Sequence, residues 1–330
     1  MGSYLLKRLG LTLFVVWAAL TFMFVLIELM PGDAVQAKAG EKAVGAAIEA
    51  NLRAHYGLDK PVAVRYVKYF GNLVRGDLGY SFKNDRSVNT DLKETMKNSL
   101  RLLFWGGIVQ IGGSLVLGFI SAAKKGSWLD KFTTTGSVAI QAIPVFVTGL
   151  LAQVFFGVIP VQTFKAQWLN FYFAWPLDGW KLGVLPPNFK AIVLPAIVVG
   201  VVQMAFLARL LRSSMLEVLR ADYLRTAFAK GLPRRTVLVK HAMRNALIPY
   251  VTAAGLALVE IFGIAVQTET VFGIYGIGSK VAEAAQIQDG PVVLGLSSIV
   301  ILAAALMTLL IDFSYSVLDP RIRVGDKVAA

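Results

Sequence analysis

The sequence contains no cysteine, only two histidines and few charged residues for its length. Without cysteine, disulfides, thiolate metal ligands and thiol nucleophiles are all excluded. His55 and His241 lie far apart along the chain, so a histidine metal cluster is not expected. Charged residues make up 16% of the 330 and the mean hydropathy is +0.63, whereas soluble domains carry about 25% charged residues. We therefore expect the chain to be solvated mainly by lipid.

Recognisable catalytic motifs are missing as well. The sequence has no Gly-x4-Gly-Lys-Ser/Thr loop, so this chain is not expected to hold ATP phosphates itself. No zinc-protease motif, serine-hydrolase motif or pair of catalytic carboxylates stands out. We predict no catalytic site, cofactor or metal on this chain, and a transport pathway or gate rather than an enzyme.

Six apolar segments are long enough to cross a bilayer, because a spanning helix needs about 20 apolar residues. The first is read as a retained helix, since no small-residue cleavage site follows it. The fold class is therefore an all-α polytopic membrane protein with six transmembrane helices. The predicted spans are residues 9–30, 102–123, 132–160, 191–210, 245–268 and 292–315.

The distribution of lysine and arginine predicts the orientation of these spans. With both termini in the cytoplasm, the short cytoplasmic loops carry most of the Lys and Arg that occur in short loops. The net charge of +13 then reflects basic cytoplasmic loops, not a nucleic-acid partner. The predicted division is 1–30 for the N-terminus and first helix, 31–98 for a small extracytoplasmic domain, 99–317 for a five-helix core and 318–330 for a cytoplasmic tail.

Residues 209–245 form the most distinctive segment, a basic stretch between two uncharged spans. Residues 215–230 have the apolar spacing of an amphipathic helix with a cationic face. Gly231 favours a left-handed helix end, and Pro233 suits the start of another helix. Two interpretations fit: a helix attracted to anionic lipid at the membrane surface, or a helix–turn–helix that docks on a soluble partner.

This segment, ADYLRTAFAKG…HAMRNALIP, resembles the cytoplasmic loop of permease subunits of ABC importers, in the dipeptide/oligopeptide/nickel family. The turn MPGD after the first span, the stretch RGDLGYS and the stretch ETVFGIYGIG resemble the same family, in the same order. The chain departs from the general importer pattern, because Arg225-Thr226-Ala227 stands in the Glu-Ala-Ala slot; this variant is typical of the peptide branch. The stretch from Glu269 to Gly278 is expected to be an external hairpin.

The resemblance implies a type I importer permease fold in the bacterial inner membrane. The implied partners are a second homologous permease, two ATPase subunits that carry ATP and Mg, and an extracytoplasmic substrate-binding protein. The loop 215–245, within a coupling region 212–245, is then expected to couple ATP hydrolysis to transport of di- or oligopeptides. The residues implied for this coupling are Asp222, Tyr223, Arg225, Thr226, Ala227, Ala229, Lys230, Gly231 and Arg234.

Other readings of the sequence stay open. Within the importer class, the solute could instead be an oligosaccharide, glutathione or nickel. Glu260 lies inside a predicted span, so it is expected to face the bundle interior, and a proton relay in a secondary carrier is an alternative role for it. The aromatic stretch 161–190 fits an interfacial belt or a contact with a substrate-delivering protein. The predicted path residues are Gln110, Gln141, Gln153, Gln203 and Glu260.

Overall fold

The computed structural model describes residues 2–29, 59–159 and 189–318, and these residues are helical almost throughout. Outside the helices, Tyr80 and Ser87 form an isolated antiparallel bridge, and no strand occurs in the described ranges. The helices, in chain order, are α1 (Gly2–Leu29), α2 (Val62–Val74), α3 (Val88–Ala123), α4 (Trp128–Ala142), α5 (Val145–Phe156), α6 (Phe189–Val218), α7 (Asp222–Ala229), α8 (Arg234–Phe272), α9 (Ile277–Gln286) and α10 (Gly290–Leu318).

Five of these helices are long and apolar enough to cross a membrane, namely α1, α3, α6, α8 and α10. The pair α4 and α5 makes a sixth span if its two bent halves are counted as one. The all-α, multi-pass expectation is confirmed. Several of the helices extend beyond the predicted spans; α8, for example, is 39 residues long, where a span over 245–268 was predicted.

The third predicted span, 132–160, is not one straight helix. Its two halves meet at an angle of 105°. The break lies at Ile143 and Pro144, both of which have extended backbone conformations. Proline has no N–H to donate and disfavours helical geometry at the preceding residue, so the helix stops there and restarts at Val145. The third span is therefore a pair of helices that meet at a sharp corner beside Pro144.

The described residues fall into two compact units, and α3 is divided between them at Asn98 and Ser99. One unit takes its residues from Met1–Asn98 and Tyr275–Ala330, and the other is Ser99–Ile274. The predicted extracytoplasmic domain lies outside the described residues over 30–58, as do most of the aromatic stretch 161–190 and the tail from 319 onward. The predicted domain division stays a prediction.

The Ser99–Ile274 unit is built on close approaches between long helices. A Cβ atom on Gly200 of α6 would lie 2.6 Å from the backbone oxygen of Gly106 on α3. One on Gly118 would lie 2.7 Å from the oxygen of Ala208. Small residues let membrane helices pack backbone to backbone, where lipid provides no hydrophobic drive for association. These contacts pack α6 against α3, and the candidate site follows the end of α6 at Val218.

The other unit contains α1, α2, α9, α10 and the start of α3. Its core combines Leu78 and Val88 with Ile277, Val292 and Leu296. The predicted hairpin at 269–278 is wrong: α8 continues to Phe272, Gly273 closes it in the left-handed conformation, and α9 begins at Ile277. The hairpin was expected from the family resemblance; in the structure, α8 itself extends through residues 269–272.

A polar cluster lies beside this core. Arg86 pairs with Asp91 at 3.1 Å and with Glu94 at 2.9 Å, while Asp289 accepts hydrogen bonds from the Ser81 hydroxyl and the Phe82 N–H. The hydrogen bond from Arg86 to Glu94 raises the pKa of that guanidinium. The two buried carboxylates, Asp91 and Asp289, therefore each have a polar or charged partner, as burial requires.

Candidate functional site

The basic segment forms a short helix, α7, set between the two long helices α6 and α8. The predicted single helix over 215–230 is interrupted: α6 runs on to Val218, and α7 starts only at Asp222. Ala221 takes an extended conformation and separates the two helices. Met215 and Leu216 therefore belong to the end of a spanning helix, and the projecting helix is only eight residues long.

The inner face of α7 is anchored in the core of its unit. Leu224 is completely buried and Ala227 nearly so, one helical turn apart. They pack in a cluster with Met215 of α6 and with Val237 and Leu238 at the start of α8. An eight-residue helix is not stable alone in water, so this burial is needed to hold it. Burying Leu224 contributes about 2 kcal/mol.

A glycine ends α7 and turns the chain into α8. Gly231 has a φ of +77°, in the left-handed region that favours glycine. Its N–H donates to the Phe228 carbonyl, and the Leu232 N–H donates to the Ala227 carbonyl, which is the Schellman arrangement. Pro233 then caps α8, which begins at Arg234. The helix–turn–helix expected from the Gly-Leu-Pro sequence is confirmed.

The outer face of α7 and of the turn is exposed, basic and partly apolar. Most of the predicted coupling residues lie here: Asp222, Tyr223, Arg225, Thr226, Ala229, Lys230, Gly231 and Arg234. Ala227 does not, since it points into the core. Phe228 and Leu232 are exposed beside the basic residues and were missed by sequence reasoning. The sequence could have predicted their exposure, because their positions do not follow the helical spacing of the buried pair Leu224 and Ala227.

Two hydrogen bonds tie this surface to the long helices. The Asn245 side-chain amide of α8 donates to the Tyr223 hydroxyl at 2.6 Å. The Arg234 guanidinium donates to the Ala123 carbonyl at 3.0 Å, where α3 ends. Helix ends leave carbonyls without intrahelical partners, and an arginine satisfies one of them here. Arg234 is thus a link between α8 and α3 as well as part of the exposed basic surface.

A buried ion pair braces the base of the segment. Asp130, in the first turn of α4, accepts hydrogen bonds from the Ser121 hydroxyl at 2.5 Å and from the Gly126 N–H at 2.8 Å. Arg212 of α6 contacts the same carboxylate through two nitrogens, one of them at 2.9 Å. We call these residues, Ser121, Gly126, Asp130 and Arg212, the Asp130 brace. Asp130 and Arg212 are 82 positions apart, so no local sequence pattern could predict this ion pair.

The predicted path residues do not form one group. Gln203 of α6 and Glu260 of α8 are hydrogen bonded to each other. Gln141 accepts from Arg209 at 3.4 Å, and Gln153 donates to the Val271 carbonyl at 2.9 Å. The Gln110 side chain is fully buried, and neither of its polar atoms has a hydrogen-bond partner in the structure. Only Gln203 and Glu260 are brought together.

Glu260 was expected to face the bundle interior, but in this chain it is exposed on the surface of the apolar helix α8. The described residues contain no group of three or more His, Asp or Glu side chains placed to hold a metal ion. The predicted residues thus include two surfaces: an exposed basic helix–turn–helix, and a polar patch on a spanning helix.

Comparison with known proteins gives matches along almost the whole chain. Residues 114–324 match the family described as binding-protein-dependent transport system inner membrane component, and residues 1–102 match the family of its N-terminal region. The dipeptide transport system permease protein DppB of Escherichia coli (strain K12) is 35% identical over 98% of this chain and 99% of its own length.

Two further relatives are similar over the same extent. The dipeptide transport system permease protein DppB of Haemophilus influenzae is 34% identical, covering 98% of this chain and all of the relative. The di/tripeptide transport system permease protein DppB of Pseudomonas aeruginosa is 36% identical, covering 98% of this chain and 99% of the relative.

Proposed function

The chain belongs to the family of binding-protein-dependent transport system inner membrane components, and we propose that it is the permease subunit of an ATP-driven importer of di- or oligopeptides. A member of this family is a multi-pass membrane transport subunit, not an enzyme. Relatives named for dipeptide and di/tripeptide transport support the peptide assignment. Oligosaccharides, glutathione and nickel are the competing solutes, and uptake assays with each distinguish them.

The exposed helix–turn–helix at α7 is the observation that carries the coupling assignment. Its inner face is fixed by Leu224 and Ala227, while its outer face presents Arg225 and Lys230 beside the uncovered aromatic ring of Phe228. A half-exposed aromatic ring amid cations is typical of a protein-binding surface, since aromatic and arginine residues are enriched in interface centres. We infer that an ATPase subunit covers this surface.

The bracing contacts explain how a docked subunit would move the membrane helices. A force on α7 reaches α6 and α8 directly through the packing of Leu224, and α8 also holds α3 through the Arg234 bond to Ala123. The Asp130 brace joins α6 to α4, the first half of the bent span. Rigid elements in contact carry motion of this kind without any flexible intermediate. The segment is therefore suited to couple ATP binding on a partner to helix rearrangement.

The position of Glu260 supports the proposal that a second permease subunit is present. A carboxylate at mid-bilayer costs about 2.5–3.5 kcal/mol to insert, so it faces protein or water rather than lipid. Because Glu260 and Gln203 form an exposed polar patch on this chain, we infer that a homologous permease faces it across a water-filled path. An extracytoplasmic binding protein would deliver the solute to that path, and ATP and Mg would bind the ATPase subunits only.

The same assignment fixes the proposed orientation. We place both termini, the 124–131 turn and the coupling region 212–245 in the cytoplasm, with 31–98 on the opposite side of the bacterial inner membrane. Basic residues in the short loops support this orientation. An epitope tag at the C-terminus that is digested only after the cells are opened would agree with it.

Two glycines offer a matched test of coupling. Gly231 and Gly76 share a φ of +77° and have nothing near the position of a Cβ atom, so a side chain strains the backbone equally at both. Only Gly231 lies on the proposed docking surface. Gly231→Trp should abolish solute uptake and release the co-purifying ATPase, while Gly76→Trp retains both. Wild-type uptake in Gly231→Trp would overturn the coupling assignment.

A further inference from the structure

The helix α2 has three chemically different sides around its axis. Its inner side carries aromatic and leucine side chains that pack within its unit. A second side carries valines, and a third carries basic residues. In order, the three sides are Tyr66, Tyr69, Phe70 and Leu73; Val64, Val67 and Val74; and Lys68 and Arg75.

The inner side shows where α2 lies along the spanning helices. The Tyr66 hydroxyl is 2.8 Å from the Thr21 hydroxyl of α1, and the Tyr69 hydroxyl is 2.7 Å from the Ser298 hydroxyl of α10. Phe24 of α1 packs against both tyrosine rings, with centroids 5.3 and 5.7 Å away. Thr21, Phe24 and Ser298 all lie inside segments apolar enough to span a membrane. Helix α2 is therefore held beside the apolar part of these helices.

The depth follows from the geometry of α1. Phe24 lies four residues before Glu28, the first charged residue after the apolar run of α1, a distance of about 6 Å along the axis. Amphipathic helices in the membrane interface bury their apolar side by about 5–10 Å. At the end of α1, Glu28 is paired with Arg65 of α2 at 2.7 Å, so the charges meet at the boundary where apolar packing stops.

In the part of the chain that the structure describes, the valine side is exposed. Val64, Val67 and Val74 are 48%, 70% and 86% exposed. Neighbouring α1 also exposes large apolar side chains, among them Phe22 and Leu26, and in a spanning helix such residues contact lipid. The valines add a further exposed apolar surface on α2, which is itself packed against α1 through Phe24. Lys68 and Arg75 follow the valines around the axis, as basic residues do in interfacial helices, where their ends reach the headgroups.

We propose that α2 lies in the membrane interface, in the leaflet that holds the C-terminal end of α1, with its valine side in contact with lipid acyl chains and Lys68 and Arg75 at the phosphate headgroups. The helix is thus a peripheral part of the membrane-embedded body rather than of a water-exposed domain. This inference is independent of the transported solute and of the coupling assignment.

The absence of cysteine makes a clean test possible. Val67→Cys and Lys68→Cys place single thiols on adjacent residues, both exposed, so neither disturbs packing. In native membranes, a membrane-impermeant sulfonated maleimide should label Val67→Cys at least tenfold more slowly than Lys68→Cys. The labelling rate is measured from the band of this chain on a gel. In detergent solution at denaturing concentration, the two rates should become equal. Equal rates in the membrane would overturn the proposal.

A second measurement separates lipid from a covering protein. With photoreactive p-benzoyl-phenylalanine at position 67, illumination of native membranes should add the mass of a phospholipid to the chain. Transfer of the crosslink to another protein, including a second permease, would overturn the lipid assignment. The same residue at position 68 serves as the matched control, with fewer acyl-chain adducts expected.

Discussion

Helices α2 and α7 are both short and amphipathic, and each is fastened to spanning helices through tyrosine hydroxyls. Tyr66 and Tyr69 fasten α2, and Tyr223 fastens α7 to Asn245. Their free sides differ in chemistry. In α2 three valines lie exposed, whereas in α7 the exposed side carries Arg225 and Lys230 beside the aromatic rings of Tyr223 and Phe228. A shared helical period thus produces two surfaces that fit different partners, lipid for one and protein for the other.

The largest effect is expected from removing the Asp130 brace, because α7 projects from a helix that the brace holds. Asp130→Ala leaves Arg212, only 20% exposed, without its carboxylate. Losing one partner of a buried pair costs about 3 kcal/mol. We expect the free energy of unfolding in detergent to fall by about that amount, and uptake to fall with it.

The matched change for α2 is Glu28→Ala, whose pair with Arg65 is also partly exposed and should cost about 1 kcal/mol. The double variant Asp130→Ala/Arg212→Leu should recover part of the loss, since no charge is then left unpaired. If Asp130→Ala and Glu28→Ala lowered the free energy of unfolding equally, the attachment of α7 would be no more stable than that of α2.

The second prediction reverses charge on the free side of α7. Arg225→Glu combined with Lys230→Glu should reduce uptake by at least tenfold while leaving the thermal midpoint of the chain unchanged, because both side chains are exposed. Retention of the ATPase during purification measures the same loss. Lys68→Glu in α2 is the control and should retain the ATPase. Loss of ATPase in that control would show that charge reversal acts nonspecifically.

Much of the difference between α2 and α7 could not be predicted from the sequence. The apolar period predicts an amphipathic helix at 215–230, and the Gly-Leu-Pro sequence predicts its end, which the structure confirms at Gly231. The period does not show that α6 would use Met215 and continue to Val218 before breaking. That boundary depends on the buried cluster joining Met215, Leu224 and Val237, which lie on three helices.

Contacts between residues far apart in the chain could not be predicted from the sequence either. Six spans follow from hydropathy, and proline at 144 indicates a bend, but the angle at that bend depends on packing. The pairing of Asp130 with Arg212 and of Tyr69 with Ser298 joins residues far apart in sequence. A charge or hydroxyl inside an apolar segment indicates that a partner is needed, and only the fold identifies it. The roles of the coupling and path residues stay predictions.

The third prediction compares the hydrogen bonds made by the Tyr69 hydroxyl of α2 and the Tyr223 hydroxyl of α7. Tyr69→Phe removes a hydrogen bond between partly buried hydroxyls and should cost about 1 kcal/mol of unfolding free energy. Tyr223 is 45% exposed, so water replaces much of its bond to Asn245, and Tyr223→Phe should cost about 0.5 kcal/mol or less. Denaturant titration of the two variants gives the order directly. The reverse order would mean that Tyr223 is shielded from water in the free chain.

The smallest effect is expected at Asp222, the first residue of α7. Its pair with Arg225 is 3.3 Å long, with side chains 94% and 77% exposed. Water and salt screen such a pair, so Asp222→Asn should change the unfolding free energy by less than about 0.5 kcal/mol. Titrating both proteins with and without added salt checks this. A loss above about 1 kcal/mol that persists in added salt would mean that the pair is covered in solution, because salt screens covered pairs much less than exposed ones. The free side of α7 would then resemble the lipid-covered side of α2 more than an open docking surface.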